Sequence, residues 1–252
     1  MTHALRLSPP SMKRHLALLV LLGAVLPGAA LADGIADAQL SCVVQPSQHL
    51  NLSSAVPGIV RAVLVERGDR VRRGQPLLQL VADVENAEAD LAKTKADLAQ
   101  RKLARNMDVI RKHLISGMES DQLEADAKIA QQEYEVARRT AAQKTTLSPI
   151  DGIVVARKTE PGQYVGSDPV FELAKLDPLH VELVFKVSAY GRIKPGMAAK
   201  IALGAPVNGD RVGKVAIVDR VIDARSGTFG VRVRLPNPGL TIPSGVSCKA
   251  DF

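Results

Sequence analysis

The sequence predicts a mainly β protein with an inserted α-helical hairpin: a β-sandwich split into two halves, an antiparallel coiled coil between them, and a small antiparallel β-barrel. Three observations carry this reading. A β-rich unit is written twice, as "VPGIVRAVLVERGDRVRRGQPLLQL" at residues 56–80 and as "IDGIVVARKTEPGQYVGSDPVFEL" at 150–173. Between the copies, residues 81–147 contain no proline and one glycine, Gly117, and are rich in Ala, Glu, Asp, Lys, Arg, Gln and Leu, a helix-forming composition. After the second copy, apolar and polar residues alternate in short runs separated by Gly, Pro and Asn, the grammar of a small barrel.

Residues 1–32 read as an export signal. Lys13 and Arg14 precede an apolar run at 16–26, and Ala30-Leu31-Ala32 supplies the small residues of a cleavage site, so cleavage is expected after Ala32. The run is short for a bilayer span, and an uncleaved anchor is the alternative. Cys42 lies too far downstream of that point to carry a lipid. The leader holds Arg6, Lys13 and Arg14 and no acid, so its removal takes the net charge from +7 to about +4. That mild balance, with only 3% aromatic residues, argues against a nucleic-acid surface. No later apolar run approaches membrane-spanning length.

Residues 33–50 form an N-terminal segment whose "AQLSCVV" reads as a barrel strand. The first half of the sandwich is 51–80: Gly58-Ile59-Val60 opens a strand, Gly68-Asp69 turns it, and Gly74-Gln75-Pro76 leads to Leu77-Leu78. The second half is 148–175, where Gly152-Ile153-Val154 is followed after the same interval by Gly162-Gln163, then Val165 and Pro169. Neither copy alone can bury a useful core, whereas two copies facing one another can.

The hairpin is 81–147. Leu123, Ala127, Ala130, Tyr134, Ala137, Ala141 and Lys144 alternate spacings of four and three, one stripe of a coiled-coil helix. Val84, Leu91 and Leu98 repeat every seven and are expected to supply the facing seam, continued by Met107, Ile110 and Leu114. Ser116-Gly117 marks the break, with Ser120 as a candidate N-cap before Asp121. Two helices of roughly 30 residues joined by a few residues run antiparallel and reach about 40–50 Å. The barrel is 176–252, with strands expected in "LHVELVFKV", "MAAKIAL", "RVGKVAIVDRVID" and "TFGVRVRL". Cys42 and Cys248 fall in segments that both join this barrel, and in an oxidising compartment they can form a disulfide. Two buried thiols are the alternative.

Taken in this order, the segments resemble a periplasmic adaptor, the membrane fusion protein family of tripartite efflux systems and type I secretion. The resemblance rests on "PGIVRAVLVERGDRVRRGQPL", on "TTLSPIDGIVVARKTEPGQYV" at the helix exit and on "TFGVRVRLPNPGLTIPSG" near the end. It implies that the two halves build one lipoyl/biotinyl-like sandwich. It also implies an adaptor without catalytic activity or cofactor, linking an inner-membrane transporter to an outer-membrane channel and self-associating into a ring. It places the protein in the periplasm, peripheral to the inner membrane. The RND class of transporter is favoured over an ABC exporter, because the compact barrel ending and single cleavable signal resemble the adaptors of that class. The hairpin tip would meet the channel. The family's tip pattern fits Arg105, Val109 and Ser116 with Val in place of Leu, or Arg111, Leu114 and Ser120 in a shifted frame, and Gly117 lies between.

Other classes fit less well. A lipoyl or biotin carrier needs a modifiable lysine at the turn between the halves, and the first lysine after that point, Lys93, lies inside the helical stretch. Beyond the leader the histidines are His49, His113 and His180, none in a metal-binding pair. Acids such as Glu85, Glu88 and Asp90 read as a solvated helix face. An exported coiled-coil spacer explains the helices but not the split repeat.

Overall fold

The computed structural model describes residues 35–252; the export signal expected at 1–32 lies outside the described residues. A 3-10 turn at Ile35–Ala38 leads into β1 (Gln39–Ser53). Next come β2 (Gly58–Val63), β3 (Arg70–Val71) and β4 (Pro76–Leu80), then α1 (Asp83–Arg111) and α2 (Gly117–Ala142). The chain returns through β5 (Thr145–Leu147), β6 (Gly152–Arg157), β7 (Tyr164–Val165) and β8 (Pro169–Lys186). It ends with β9 (Ala198–Leu203), β10 (Gly209–Val218), β11 (Thr228–Leu235) and β12 (Cys248–Asp251).

The repeated units exchange strands. Gly58 and Ile59 of β2 pair with Val165 and Tyr164 of β7, and Gly152 and Ile153 of β6 pair reciprocally with Val71 and Arg70 of β3. The same turn closes both copies: Glu66 N–H donates to Asp69 Oδ2 and Glu160 N–H to Gln163 Oε1, with Gly68 and Gly162 at φ of 96° and 86°. Those positive φ values are where glycine is needed. Val60, Val71, Leu77, Leu78 and Leu80 from one half and Val154, Val165, Val170, Phe171 and Leu173 from the other bury one shared core. Each half lacks a core without its partner, which is why the sequence must write the unit twice.

β1 and β8 are longer than the sequence suggests. They pair antiparallel from Gln39↔Phe185 to Ser53↔Pro169 and span the boundaries expected near residues 50 and 175, with register shifts between Gln39 and Ser41, between Pro46 and Gln48 and between Leu52 and Ser53. Buried side chains alternate strictly from Leu179 to Phe185, and the pattern breaks at 175–178, where the ladder passes from one core to the other. Beyond this spine, β8, β11, β10, β9 and β12 follow in order. β12 comes back to β1 through the bridge Val43↔Ser247 and the bonds Val44 N–H to Val246 O and Gly245 N–H to Val44 O. Val181, Phe185, Ile201, Val233 and Leu235 fill the barrel. The run "RVGKVAIVDRVID" stays in strand only to Val218, after which residues 219–227 form a loop. Cys42 and Cys248 are joined across the closing seam between β1 and β12.

The stretch "LPNPGLTIPSG" works as a pin between barrel and sandwich. Asn237 is buried; its Nδ2 donates to Leu176 O and Ile242 O, and its Oδ1 accepts from Ile242 N–H. Arg70 of β3 reaches across to Gly239 O at 3.0 Å.

Candidate functional site

The helical hairpin is planted in the sandwich. β4 and β5 pair antiparallel, so the strand that enters α1 and the strand that leaves α2 share one ladder. Leu80 N–H donates to Lys144 O, and Arg61 pairs with Asp83 at the foot of α1. Lys144 Nζ lies 2.7 Å from Glu85 Oε1, joining the first turn of α1 to the residue after α2. The hydrogen bond from Lys144 holds the Glu85 carboxyl below its ordinary value of 4.5. At the helix exit, Ser148 exchanges backbone bonds with Gly74 and Gln75, and Asp151 accepts from Arg73 N–H at 2.9 Å. With 29 and 26 residues, the helices are about 43 and 39 Å long. Their extensive contacts are with each other, and neither packs broadly on a strand.

The seam between the helices differs from the expectation on one side. On α2, Leu123 and Ala127 are buried, and Ala130, Tyr134, Ala137 and Ala141 are half-buried, the stripe read from the sequence. On α1, however, Val84, Leu91 and Leu98 are 68%, 58% and 61% exposed. The facing seam is Ala89, Ala92, Ala96 and Ala99, continued by Leu103, with Ala96 only 2% exposed. Alanines on both helices let the backbones approach closely along the stretch Ala89 to Ala99, and Leu103 and Leu123 fill the seam nearer the tip. Met107 and Leu114 are likewise exposed, whereas Ile110 is half-buried.

The displaced side chains have a common location. Leu91 and Leu98 immediately precede Ala92 and Ala99 of the α1 seam and Val84 lies one heptad before Leu91, while Ile129 and Val136 immediately precede Ala130 and Ala137 of the α2 seam. In an antiparallel pair that offset turns both stripes to the same broad face. Glu88 of α1 lines one groove of about 620 Å³ with Ile129 and Val136 of α2.

At the tip, Ser116 rather than Ser120 is the N-cap of α2: its Oγ accepts from Glu119 N–H at 3.1 Å, and Ser120 lies in the first turn. The Ser-x-x-Glu spacing of Ser116 and Glu119 is the sequence signal for that cap. His113 adopts φ 54° as the chain reverses. Arg111 pairs with Asp108 in the last turn of α1, Val109 is half-buried and Arg105 is exposed. Leu114, Gly117 and Met118 are exposed, and an added Cβ at Gly117 would meet nothing within 4 Å. Arg105 and Arg111 in the last turns of α1, Leu114 and Ser116 in the connection and Gly117 and Ser120 in the first turn of α2 all lie toward the tip end of the arm.

The three histidines remain apart. His49 meets Glu172 at 2.8 Å on the β1–β8 spine, His113 is in the tip loop, and His180 is on the barrel part of β8. Burial, helped by Arg232, lowers the His180 pKa from its ordinary 6.5. Lys93 is within α1, far along the chain from any carrier turn.

A sandwich built from exchanged halves, carrying a long hairpin on one side and a barrel on the other, defines a barrel-and-sandwich protein with an inserted helical hairpin. The match to known families agrees with that class. Residues 48–175 match the CzcB-like, barrel-sandwich hybrid domain, and the chain belongs to this family, homologous to the membrane fusion proteins of tripartite efflux systems. It is 26% identical over 227 residues to the multidrug efflux pump subunit AcrA of Escherichia coli K12, covering 77% of this chain and 56% of that protein. It is 28% identical over 230 residues to the nickel-cobalt-cadmium resistance protein NccB of Alcaligenes xylosoxydans xylosoxydans, covering 84% and 57%. The chain thus spans a little over half the length of these relatives. In fold it resembles a MacA–MexA chimera that contains the Pseudomonas aeruginosa MexA α-hairpin domain, with TM-score 0.67, 16% identity and coverage of 84% and 79%. No helix among the described residues is long and apolar enough to cross a membrane.

Proposed function

We propose that this protein is a non-catalytic periplasmic adaptor that links an inner-membrane transporter to an outer-membrane channel in a tripartite efflux pump. The carrying observation is the arm itself: about 40 Å of paired helix, rooted by the β4–β5 ladder and the Glu85–Lys144 ion pair. Such an arm spans distance with few residues and transmits force because its base is strand-paired on both sides. Its tip offers Arg105, Val109, Arg111, Leu114, Ser116, Gly117 and Ser120 to the channel.

Self-association into a ring is supported by the one-sided apolar face. Leaving Val84, Leu91, Leu98, Ile129 and Val136 in water forgoes about 1.5–3 kcal/mol for each side chain that a neighbour would cover fully. A second copy of the same hairpin supplies a cover of matching length. Export by a leader cleaved after Ala32 delivers the protein to the periplasm, where it is peripheral to the inner membrane. Of the two transporter classes, RND is retained over ABC on the family resemblance.

The test is efflux in cells whose only copy carries a charged insertion at Gly117. Transport should be lost while circular dichroism and protein level stay unchanged; normal transport would remove the tip from the mechanism. Crosslinking in the same cells should capture an inner-membrane pump, and recovery of no membrane protein would favour an exported spacer instead.

A further inference from the structure

The seam that closes the barrel is held differently from the rest of its wall. From β8 through β11, β10 and β9 to β12, each strand is joined to the next by an antiparallel ladder, but no ladder joins β12 to β1. One bridge, Val43↔Ser247, and the bonds of Val44 to Val246 O and Gly245 N–H lie just before β12. Farther along, Ala250 N–H turns to a side chain instead, Gln39 Oε1 at 2.9 Å. The remaining tie is covalent: the Cys42–Cys248 bond joins residues 206 positions apart in sequence.

β12 has little packing of its own. It is four residues long, Lys249 and Asp251 are exposed, and Ala250 is its one fully buried side chain. Just beyond it, Phe252 is half-buried, its ring edge-on to Phe185 with centroids 5.7 Å apart. Burying a methyl group stabilises far less than burying a leucine. The segment that leads into β12 is anchored much better. Val246 and Ile242 are buried, and Ile242 is bonded to the buried Asn237 through both its N–H and its carbonyl. The change from firm to weak packing therefore falls at Val246, two residues before Cys248. Cys42 is buried in the barrel core, whereas Cys248 is half-buried and the more accessible of the pair.

We propose that the Cys42–Cys248 bond is a redox latch on the barrel seam: oxidised, it keeps β12 in the wall, and on reduction the stretch 247–252 leaves the wall while the rest of the fold stays in place. The chemistry is thiol–disulfide exchange with a dithiol donor. A donor thiolate bonds to Cys248 Sγ, and the Sγ–Sγ bond breaks with its electron pair on Cys42 Sγ. The donor's second thiolate then displaces Cys248. The donor ends as a disulfide and the protein as two thiols, which take up the donor's two protons. Oxidation by a disulfide-bearing partner runs the same steps in reverse. Release of β12 leaves β1 and β9 with unpaired edges, which are templates for pairing with another chain, and uncovers one side of Phe185. The latch is read from the barrel alone and goes beyond the adaptor reading. An exported chain passes from a reducing to an oxidising compartment, so the wall closes where the protein is proposed to act.

Hydrogen exchange read by mass spectrometry on the native protein, first oxidised and then in dithiothreitol, tests the latch. On reduction, the amides of 247–252 and those of β1 and β9 that face them should exchange about tenfold faster or more. Peptides from α1, α2 and β6 should keep their rates, and reoxidation with glutathione disulfide should restore protection. The C42S/C248S variant should match the reduced protein and should not respond to dithiothreitol; the reduced native protein decides the matter if that variant does not fold. Unchanged exchange in 247–252 on reduction overturns the proposal, because the strand is then held by packing. Faster exchange throughout the chain, hairpin and sandwich included, overturns it as well, because the bond then holds the whole fold and latches no single strand. Either result leaves the Gly117 efflux experiment untouched, so the two readings fall separately.

Discussion

Replacing Gly152 with alanine tests whether the two repeats truly share one packed module. A Cβ at Gly152 would lie 2.5 Å from the carbonyl oxygen of Ala174, a backbone atom on the neighbouring strand. β6 would have to move away from β8 by about half an ångström merely to reach 3.0 Å, the shortest separation that real Cβ atoms show. Because Ile153↔Ala174 and Val154↔Leu173 pair beside it, the shift strains the ladder that closes the shared core. Overpacking of this kind costs about 1–3 kcal/mol, or roughly 2–4 °C of melting temperature for each kcal/mol in a domain of this size. The equivalent Gly58 is the internal control. Its added Cβ would meet Leu80 Cδ1 at 3.2 Å, the far end of a flexible side chain that can rotate away. Gly58→Ala should therefore change stability by less than about 1 kcal/mol, and lowered unfolded-state entropy offsets part of that. Thermal and urea unfolding followed by circular dichroism measure both. Equal effects of the two substitutions, or a larger one for Gly58→Ala, would refute the packing argument.

In the helical arm, Ala96→Leu should splay the alanine seam and destabilise the hairpin by about 1–3 kcal/mol, whereas Leu91→Ala should cost the isolated chain less than about 0.5 kcal/mol. Urea titration of the hairpin signal distinguishes them, and a severe Leu91→Ala effect would return that residue to the seam. Cys42→Ser, or reduction of the native protein, should lower stability by about 3–5 kcal/mol, since the bond closes 206 residues of chain. An unfolding midpoint insensitive to reductant would refute that. Burial lowers the His180 pKa, so as pH falls below 6.5 the unfolded chain takes up its proton first and stability declines. His180→Gln should flatten the stability profile between neutral pH and about 5, and an unchanged slope would mean that another group dominates there. The Glu85–Lys144 pair acts in a separate window: its lowered carboxylate pKa contributes above the ordinary 4.5 and is lost on further acidification.

Periodicity alone located the repeat, the hairpin and the barrel, because each depends on local rules. Glycines at matching intervals set turns, a proline-free Ala-, Glu- and Lys-rich stretch sets helix, and period-two alternation sets strand. The same rules misassigned α1. A heptad of Val84, Leu91 and Leu98 looks like a seam because large apolar residues usually bury, but which face of a helix is inward depends on the partner's side chains. The alanines of α2 demanded alanines opposite, and only the assembled pair could turn the leucines outward. Likewise the spine of β1 and β8 crosses the expected domain limits because a ladder ends where its partner ends, a fact set by the other strand. The chain's own letters therefore determined which elements exist and in what order. The tertiary structure decided which faces remain for partners: the apolar flank of the hairpin and the tip around Ser116. The reason is physical: secondary structure answers to neighbours a few residues away, whereas exposure is settled by groups that meet only after the chain has folded.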